Sequence, residues 1–95
     1  MKFAAVIEYI ADKDKIQSIR PTHRQYLTSL KAAGKLAVAG PFTDDYGALI
    51  VYEAATKEEA EKLLQGDPFH ANGIFVRWVI RPWNTVFCNR ELFPA

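Results

Sequence analysis

Cysteine is almost missing from this chain, since Cys88 is the only one in 95 residues. A single cysteine excludes an internal disulfide and a zinc site built from a cysteine cluster. Asp67 and His70 have a spacing seen among metal ligands, but a site needs at least three ligands, and no further cluster accompanies them. We therefore expect no metal and no cofactor. Cys88 has no basic neighbour to activate it and is interpreted as a small buried residue.

Charge imbalance and long apolar runs are missing as well. The formal net charge is +1, whereas nucleic-acid-binding domains usually carry a basic excess on one face. No segment approaches the roughly 20 apolar residues that span a bilayer, and residues 1–15 do not have the form of a signal peptide. These features predict a single cytoplasmic domain over residues 1–95, with no nucleic-acid partner and no membrane partner.

Runs rich in β-forming residues predict four strands, at 2–10, 35–42, 48–54 and 74–83. Helical spacing of apolar residues predicts a first helix over 16–33, with Gly34 as its C-cap and an internal start or kink at Pro21. A capping box that begins at Thr56 predicts a second helix ending at Gly66. The order β-α-β-β-α-β is that of an α+β ferredoxin-like sandwich, a four-stranded antiparallel sheet with both helices on one face.

The predicted strands are apolar on both faces, which two helices on one face do not explain. In the first strand, for example, Phe3 and Ile7 alternate with Ala4 and Val6. An uncovered apolar face of this size usually marks an interaction surface. We therefore expect a homodimer in which two sheets pack face to face, extended by the C-terminal tail of residues 83–95.

The segment GDPFHANG at 66–73 has two interpretations. Asp is a preferred N-cap and Pro68 suits the first position of a helix, so Asp67 is expected to open a short helix. The alternative is chemistry, because His23 projects from the apolar side of the first helix, and a histidine oriented by a carboxylate acts as a general base. Periodicity alone does not decide whether His23 and Asp67 meet, and a packed histidine with locally satisfied nitrogens is the competing interpretation.

Two further features admit both a structural and a functional interpretation. Arg20 suits binding of an anionic group, but it also suits a solvated charge whose stem packs on the protein. Gly40 and Pro41 end the second strand, where they form either a simple turn or a place for backbone to approach a ligand.

Short motifs recur along the chain in a defined order. They are R-P-x-H at 20–23, L-x-x-L-x-x-x-G-K-L at 27–36, A-G-P-F at 39–42, the Gly47 turn, E-E-A at 58–60, D-P-F at 67–69 and R-P-W at 81–83. In this order and spacing the chain resembles the YciI-like (YCII-related) family. The resemblance implies a ferredoxin-like fold assembled as a dimeric α+β barrel, with an active site formed by His23 and Asp67. Some relatives look like small-molecule lyases or dehydrochlorinases.

Two hypotheses for function follow. The first is a lyase, dehydrochlorinase or isomerase that abstracts a proton from a small organic substrate, with His23 as the base and Asp67 orienting it. The residues expected to hold the substrate are Arg20, Gly40, Pro41, Phe42 and Phe69. The alternative is a non-catalytic metabolite-binding or sensory module that uses the same pocket. RNA recognition is disfavoured, because the third strand lacks the stacking aromatics of RNA-recognition modules.

Overall fold

The computed structural model describes residues 1–94 and confirms the predicted α+β fold. Its four antiparallel strands are β1 (Lys2–Tyr9), β2 (Leu36–Pro41), β3 (Gly47–Glu53) and β4 (Phe75–Trp83). Their order across the sheet is β2-β3-β1-β4, which is the topology of a ferredoxin-like sandwich. Each strand lies within one residue of its predicted bounds at either end.

Three helices pack on one face of the sheet: α1 (Lys13–Ala32), α2 (Lys57–Gln65) and the one-turn helix α3 (Pro68–Ala71). The helix α1 begins three residues earlier than predicted, because Asp12 is its N-cap and accepts a hydrogen bond of 3.1 Å from the backbone N–H of Lys15. Pro21 lies inside α1, so the helix runs through the residue that we expected to start or kink it.

The core lies between the helices and one face of the sheet. Ala5 and Ile7 of β1 are fully buried there, whereas Val6 between them is 43% exposed on the opposite face. Gly47 at the start of β3 is needed for close strand approach, since a Cβ at this position would overlap the carbonyl oxygen of Ile7. The alternation of β1 therefore sets which sheet face receives α1, α2 and α3.

The opposite face of the sheet, here called the outer face, exposes a group of apolar side chains. Cross-strand pairing joins Val6 to Val79 on β4, and Val38 on β2 belongs to the same face. Val79 is 54% exposed, and Trp83 farther along β4 is 46% exposed. The sheet thus has one face inside the core and one apolar face turned outward.

The tail after β4 contains a single turn of 3₁₀ helix at Arg90–Leu92. Cys88 is exposed there, which corrects the interpretation that it is buried: it lies beyond the last strand, where no element packs on it. Ala95 lies outside the described residues. None of the helices within residues 1–94 combines the length and the apolar character that a membrane crossing requires.

Candidate functional site

His23 and Asp67 are in direct contact, although 44 residues separate them in the sequence. The imidazole Nδ1 of His23 lies 2.7 Å from Oδ1 and 2.9 Å from Oδ2 of Asp67. His23 is only 6% exposed and Asp67 is fully buried. The helix α1 carries the histidine and the loop before α3 carries the aspartate, so the packing of α1 against α3 creates the pair.

Asp67 makes the contacts that both interpretations of its sequence context require. Its Oδ1 accepts a hydrogen bond of 2.9 Å from the backbone N–H of Phe69, which makes Asp67 the N-cap of α3 with Pro68 at the first helical position. The same carboxylate meets the imidazole of His23. A buried carboxylate needs such partners, because an unpaired charge inside a protein is strongly destabilising. The two interpretations of GDPFHANG are therefore compatible.

Phe69 lies behind the imidazole rather than in the wall of a pocket. Its ring is fully buried and stacks on His23, with 3.9 Å between the ring centroids and 4° between the planes. Tyr9 and Phe75 contact the other parts of the Phe69 ring edge-on. This position suits support of the histidine ring, whereas the substrate contact expected for Phe69 requires exposure that it lacks.

A cleft of about 720 Å³ opens between α1 and β2, and His23 contributes to its wall. Four of the residues expected to hold a substrate line this cleft, namely Arg20, Gly40, Pro41 and Phe42. Gly40 leaves the backbone accessible, since nothing lies within 4 Å of the place where a Cβ would stand. The structure thus brings the histidine and these four residues to one cavity.

Sequence reasoning missed most of the residues that line the cleft, among them Tyr9, Arg24, Lys31 and Phe93. Arg24 was open to detection, because it follows Arg20 by four residues and therefore shares its side of α1. Tyr9 ends a strand on its core face, and nothing in its local pattern separates a core residue from a cleft residue. Phe93 belongs to the tail, whose return to the cleft has no local signal.

The pKa of the Tyr9 phenol depends on burial and on the charged side chains around the cleft. Burial raises the pKa of Tyr9 from 10.0 to about 12, the negative charge of Asp67 adds to the rise, and the positive charges of Arg20 and Arg24 oppose it. Tyr9 is therefore a neutral hydrogen-bond donor at neutral pH. Burial also raises the pKa of Tyr52, whose hydroxyl is enclosed and has no hydrogen-bond partner within residues 1–94.

The hydrogen bond to Asp67 determines which nitrogen of His23 is available for chemistry. A carboxylate accepts hydrogen bonds, so Nδ1 is assigned as the N–H donor. In the neutral ring, Nε2 then keeps its lone pair and is able to accept a proton. Among residues 1–94, no set of three or more His, Cys, Asp and Glu side chains is placed to hold a metal ion. The arrangement is suited to moving a proton.

Comparison with known proteins places the chain in a family. Residues 1–84 match the YCII-related domain. Protein YciI of Escherichia coli O6:H1 is 30% identical over 93 residues, and the match covers 83% of this chain and 95% of that protein. An uncharacterized protein of Bacillus subtilis, YjpA, is 39% identical over 51 residues. That match covers 54% of this chain and only 60% of YjpA.

A solved structure shares the fold. It is 5-chloro-2-hydroxyhydroquinone dehydrochlorinase (TftG) from Burkholderia phenoliruptrix AC1100, in complex with 2,5-dihydroxybenzoquinone. The two chains superpose with a TM-score of 0.77 at 26% sequence identity, over 88% of this chain and 94% of that one. Together with the match over residues 1–84, the motifs and the fold confirm the resemblance found in the sequence: this chain belongs to the YCII-related family.

Proposed function

We propose that this protein is a small-molecule enzyme in which His23 and Asp67 perform general acid–base chemistry. The observation that carries the proposal is the buried imidazole–carboxylate contact of 2.7 Å, with the histidine in the wall of a cleft of about 720 Å³. A histidine oriented by a carboxylate and facing a cavity is a recurrent arrangement for proton transfer in enzymes. Family membership and the structural likeness to a dehydrochlorinase support the same class of activity.

In the proposed reaction, Nε2 of His23 takes a proton from a carbon atom of the substrate. Asp67 holds the ring in the required tautomer and stabilises the imidazolium that forms. Arg20 and the backbone around Gly40 hold the substrate, while Phe69 supports the imidazole from behind. The electron pair left by the proton either expels a leaving group, which is elimination, or moves within the molecule, which is isomerisation. The substrate is a small organic molecule with an acidic C–H group.

The test is conversion of substrate by matched variants. The purified protein is incubated with a pool of small organic acids and, separately, with 5-chloro-2-hydroxyhydroquinone, and products are followed by mass spectrometry and by chloride release. We expect conversion by the wild type and its loss in His23→Gln and Asp67→Asn. His70→Gln is the matched control, since His70 packs against Trp78 and does not line the cleft.

Two results would count against the enzyme hypothesis. Conversion that persists in His23→Gln contradicts the assignment of the base. Saturable binding of a compound from the pool without conversion, unchanged in Asp67→Asn, supports the alternative of a non-catalytic metabolite-binding module.

The proposed functional unit is a homodimer joined through the outer face. The apolar side chains Val6, Val38, Val79 and Trp83 are each between 43% and 54% exposed. Burying such a patch against its own copy is favourable at roughly 25 cal/mol per Å² of apolar area. Phe87 in the tail is a further exposed apolar side chain, at 93%.

Sedimentation or light scattering tests the dimer. We expect a dimer at micromolar concentration for the wild type and a folded monomer for Val79→Glu, which places a charge on the outer face beside Val6. Lys57→Glu changes charge on exposed helix surface and serves as the control, which should remain dimeric. A monomeric wild type, or a dimeric Val79→Glu variant, contradicts this assembly.

A further inference from the structure

The wall that α1 contributes to the cleft carries only positive charge. Arg20, Arg24 and Lys31 line the cleft, and their spacing places them on the same side of the helix as His23. No aspartate or glutamate of the described chain is among the lining residues. The whole protein has a formal net charge of +1, so this concentration of cations is local to the cleft.

The two cleft arginines have no ion-pair partner within residues 1–94, although cations elsewhere do. Lys2 lies 3.1 Å from Glu53, and Lys13 lies 3.3 Å from Asp45. Neither Arg20 nor Arg24 has a carboxylate oxygen within 4.0 Å in this part of the chain. Their guanidinium groups therefore keep their donors available, and the planar fork of a guanidinium matches a carboxylate or a similar pair of oxygens.

Tyr9 lies near the two arginines and packs on the aromatic ring that supports the proposed base. The phenol is close enough to Arg20 and Arg24 for both to act on its ionisation. Its ring lies edge-on against Phe69 at 5.3 Å, and Phe69 in turn stacks on His23. Two guanidinium groups and a neutral phenolic O–H thus line the same cleft as the histidine that is in contact with Asp67.

We propose that Arg24, acting with Arg20 and the hydroxyl of Tyr9, binds an oxygen anion of the ligand beside His23. The ligand class is then a small organic acid, either a carboxylate or an ionised hydroxyquinone. The inference of anion binding depends only on the residues of the cleft, whereas the role of the anion site in turnover rests on the proposed function. In that role, Nε2 of His23 takes the proton and the C–H electron pair becomes the C=C bond of an enolate. The π electron pair of the adjacent C=O moves onto its oxygen, and the arginines stabilise the negative charge that develops there.

Calorimetric titration with defined probes tests the anion site. The probes are 2,5-dihydroxybenzoquinone and phenylacetate, each paired with a neutral analogue, 2,5-dimethoxybenzoquinone and phenylacetamide. We expect at least one acid to bind the wild type more tightly than its neutral analogue, and added salt to weaken that binding. Arg24→Gln and Arg20→Gln should each weaken it by about 10-fold, the effect of one charge-assisted hydrogen bond.

Lys57→Gln is the matched control, because it removes one positive charge from the surface of α2, outside the cleft, and should leave binding unchanged. Glutamine is a good helix former, so these variants are expected to keep the fold, which circular dichroism checks. Equal affinity for acids and neutral analogues, no binding of either acid, or an Arg24→Gln variant that matches Lys57→Gln would each overturn the inference.

The same titrations separate this inference from the proposed function. If acid binding depends on Arg24 but the protein shows no turnover, the anion site is supported and the enzyme hypothesis is refuted. If turnover depends on His23 but not on Arg24, the anion site is refuted and the enzyme hypothesis is supported. His23→Gln should still bind the acid probes within about threefold of wild type, because hydrogen bonds to charged groups supply most of the affinity.

Discussion

The imidazole of His23 lies flat on the ring of Phe69, with 3.9 Å between the centroids and 4° between the planes. Phe69 follows Asp67 by two residues, and the carboxylate of Asp67 holds Nδ1 of the same imidazole at 2.7 Å. One short segment therefore determines both the plane of the ring and its rotation within that plane. Pro68 between them restricts the backbone that carries both side chains.

Replacing Phe69 should lower kcat by more than the accompanying loss of folding stability accounts for. Phe69→Leu keeps an apolar side chain but removes the flat surface under His23, so we expect a loss of stability of about 1 kcal/mol and a fall in kcat of about 10-fold with little change in KM. Phe3→Leu is the control, since Phe3 is a core residue of β1, whereas the phenylalanine rings that pack on the imidazole are those of Phe69 and Phe75. Equal kcat values for the two variants, measured on the substrate from the conversion screen, contradict a positioning role.

Asp67 should be required for both folding and activity. Asp67→Asn leaves an oxygen for the N–H of Phe69 but removes the charge that orients His23, so kcat should fall by about 10² to 10⁴. The free energy of unfolding should fall by about 1–3 kcal/mol, because a buried charged hydrogen bond is lost.

The control for capping alone is Thr56→Ala. Thr56 caps α2 by accepting a 3.1 Å hydrogen bond from the N–H of Glu59, away from the cleft. Its loss should lower the free energy of unfolding by about 1 kcal/mol with kcat unchanged. Denaturant unfolding and steady-state kinetics give the comparison, and wild-type kcat in Asp67→Asn would falsify the catalytic assignment.

Tyr9 should make the fold sensitive to strong base. Its pKa is 10.0 when unfolded and about 12 when folded, so between these values the unfolded chain gives up a proton that the folded chain retains. Ionisation therefore favours unfolding: the stabilisation is complete below pH 10.0 and is lost as the pH rises through about 12. Tyr9→Phe should flatten this part of the stability profile, measured by denaturant unfolding across the range.

The ultraviolet absorbance of phenolate provides an independent measure of the same ionisation. Wild type minus Tyr9→Phe should show a titration step near pH 12. A step close to the ordinary tyrosine value of 10.0 would show that Tyr9 is not held neutral by its surroundings.

Gly47 should tolerate no side chain. A Cβ at this position overlaps the backbone of Ile7 on the neighbouring strand, so Gly47→Ala must shift β1 or β3 and should cost about 3 kcal/mol. Gly40→Ala is the matched control, since an added Cβ meets nothing within 4 Å and should change stability by less than about 0.5 kcal/mol. Thermal unfolding of both variants tests this prediction. Similar unfolding midpoint temperatures would contradict the close approach of β1 and β3 at Gly47.

Most secondary structure was predictable, because it depends on neighbours in the sequence. Alternation and β-forming residues located all four strands, and the capping box at Thr56 located α2. Asp67 and Pro68 correctly indicated a helix start. The error at the beginning of α1 has a local cause as well: the apolar spacing that predicts the helix begins only at Ile16, whereas Asp12 caps the helix before its first apolar position.

The sequence by itself determined the elements, the apolar character of both sheet faces, and the motifs that indicate the YCII-related family. Only the tertiary structure decided that His23 and Asp67 touch, that Phe69 lies behind the ring, and that Tyr9 and Arg24 reach the same cleft. The physical reason is distance along the chain. Capping and periodicity act over a few residues, whereas a contact across 44 residues exists only because the folded chain packs α3 against α1.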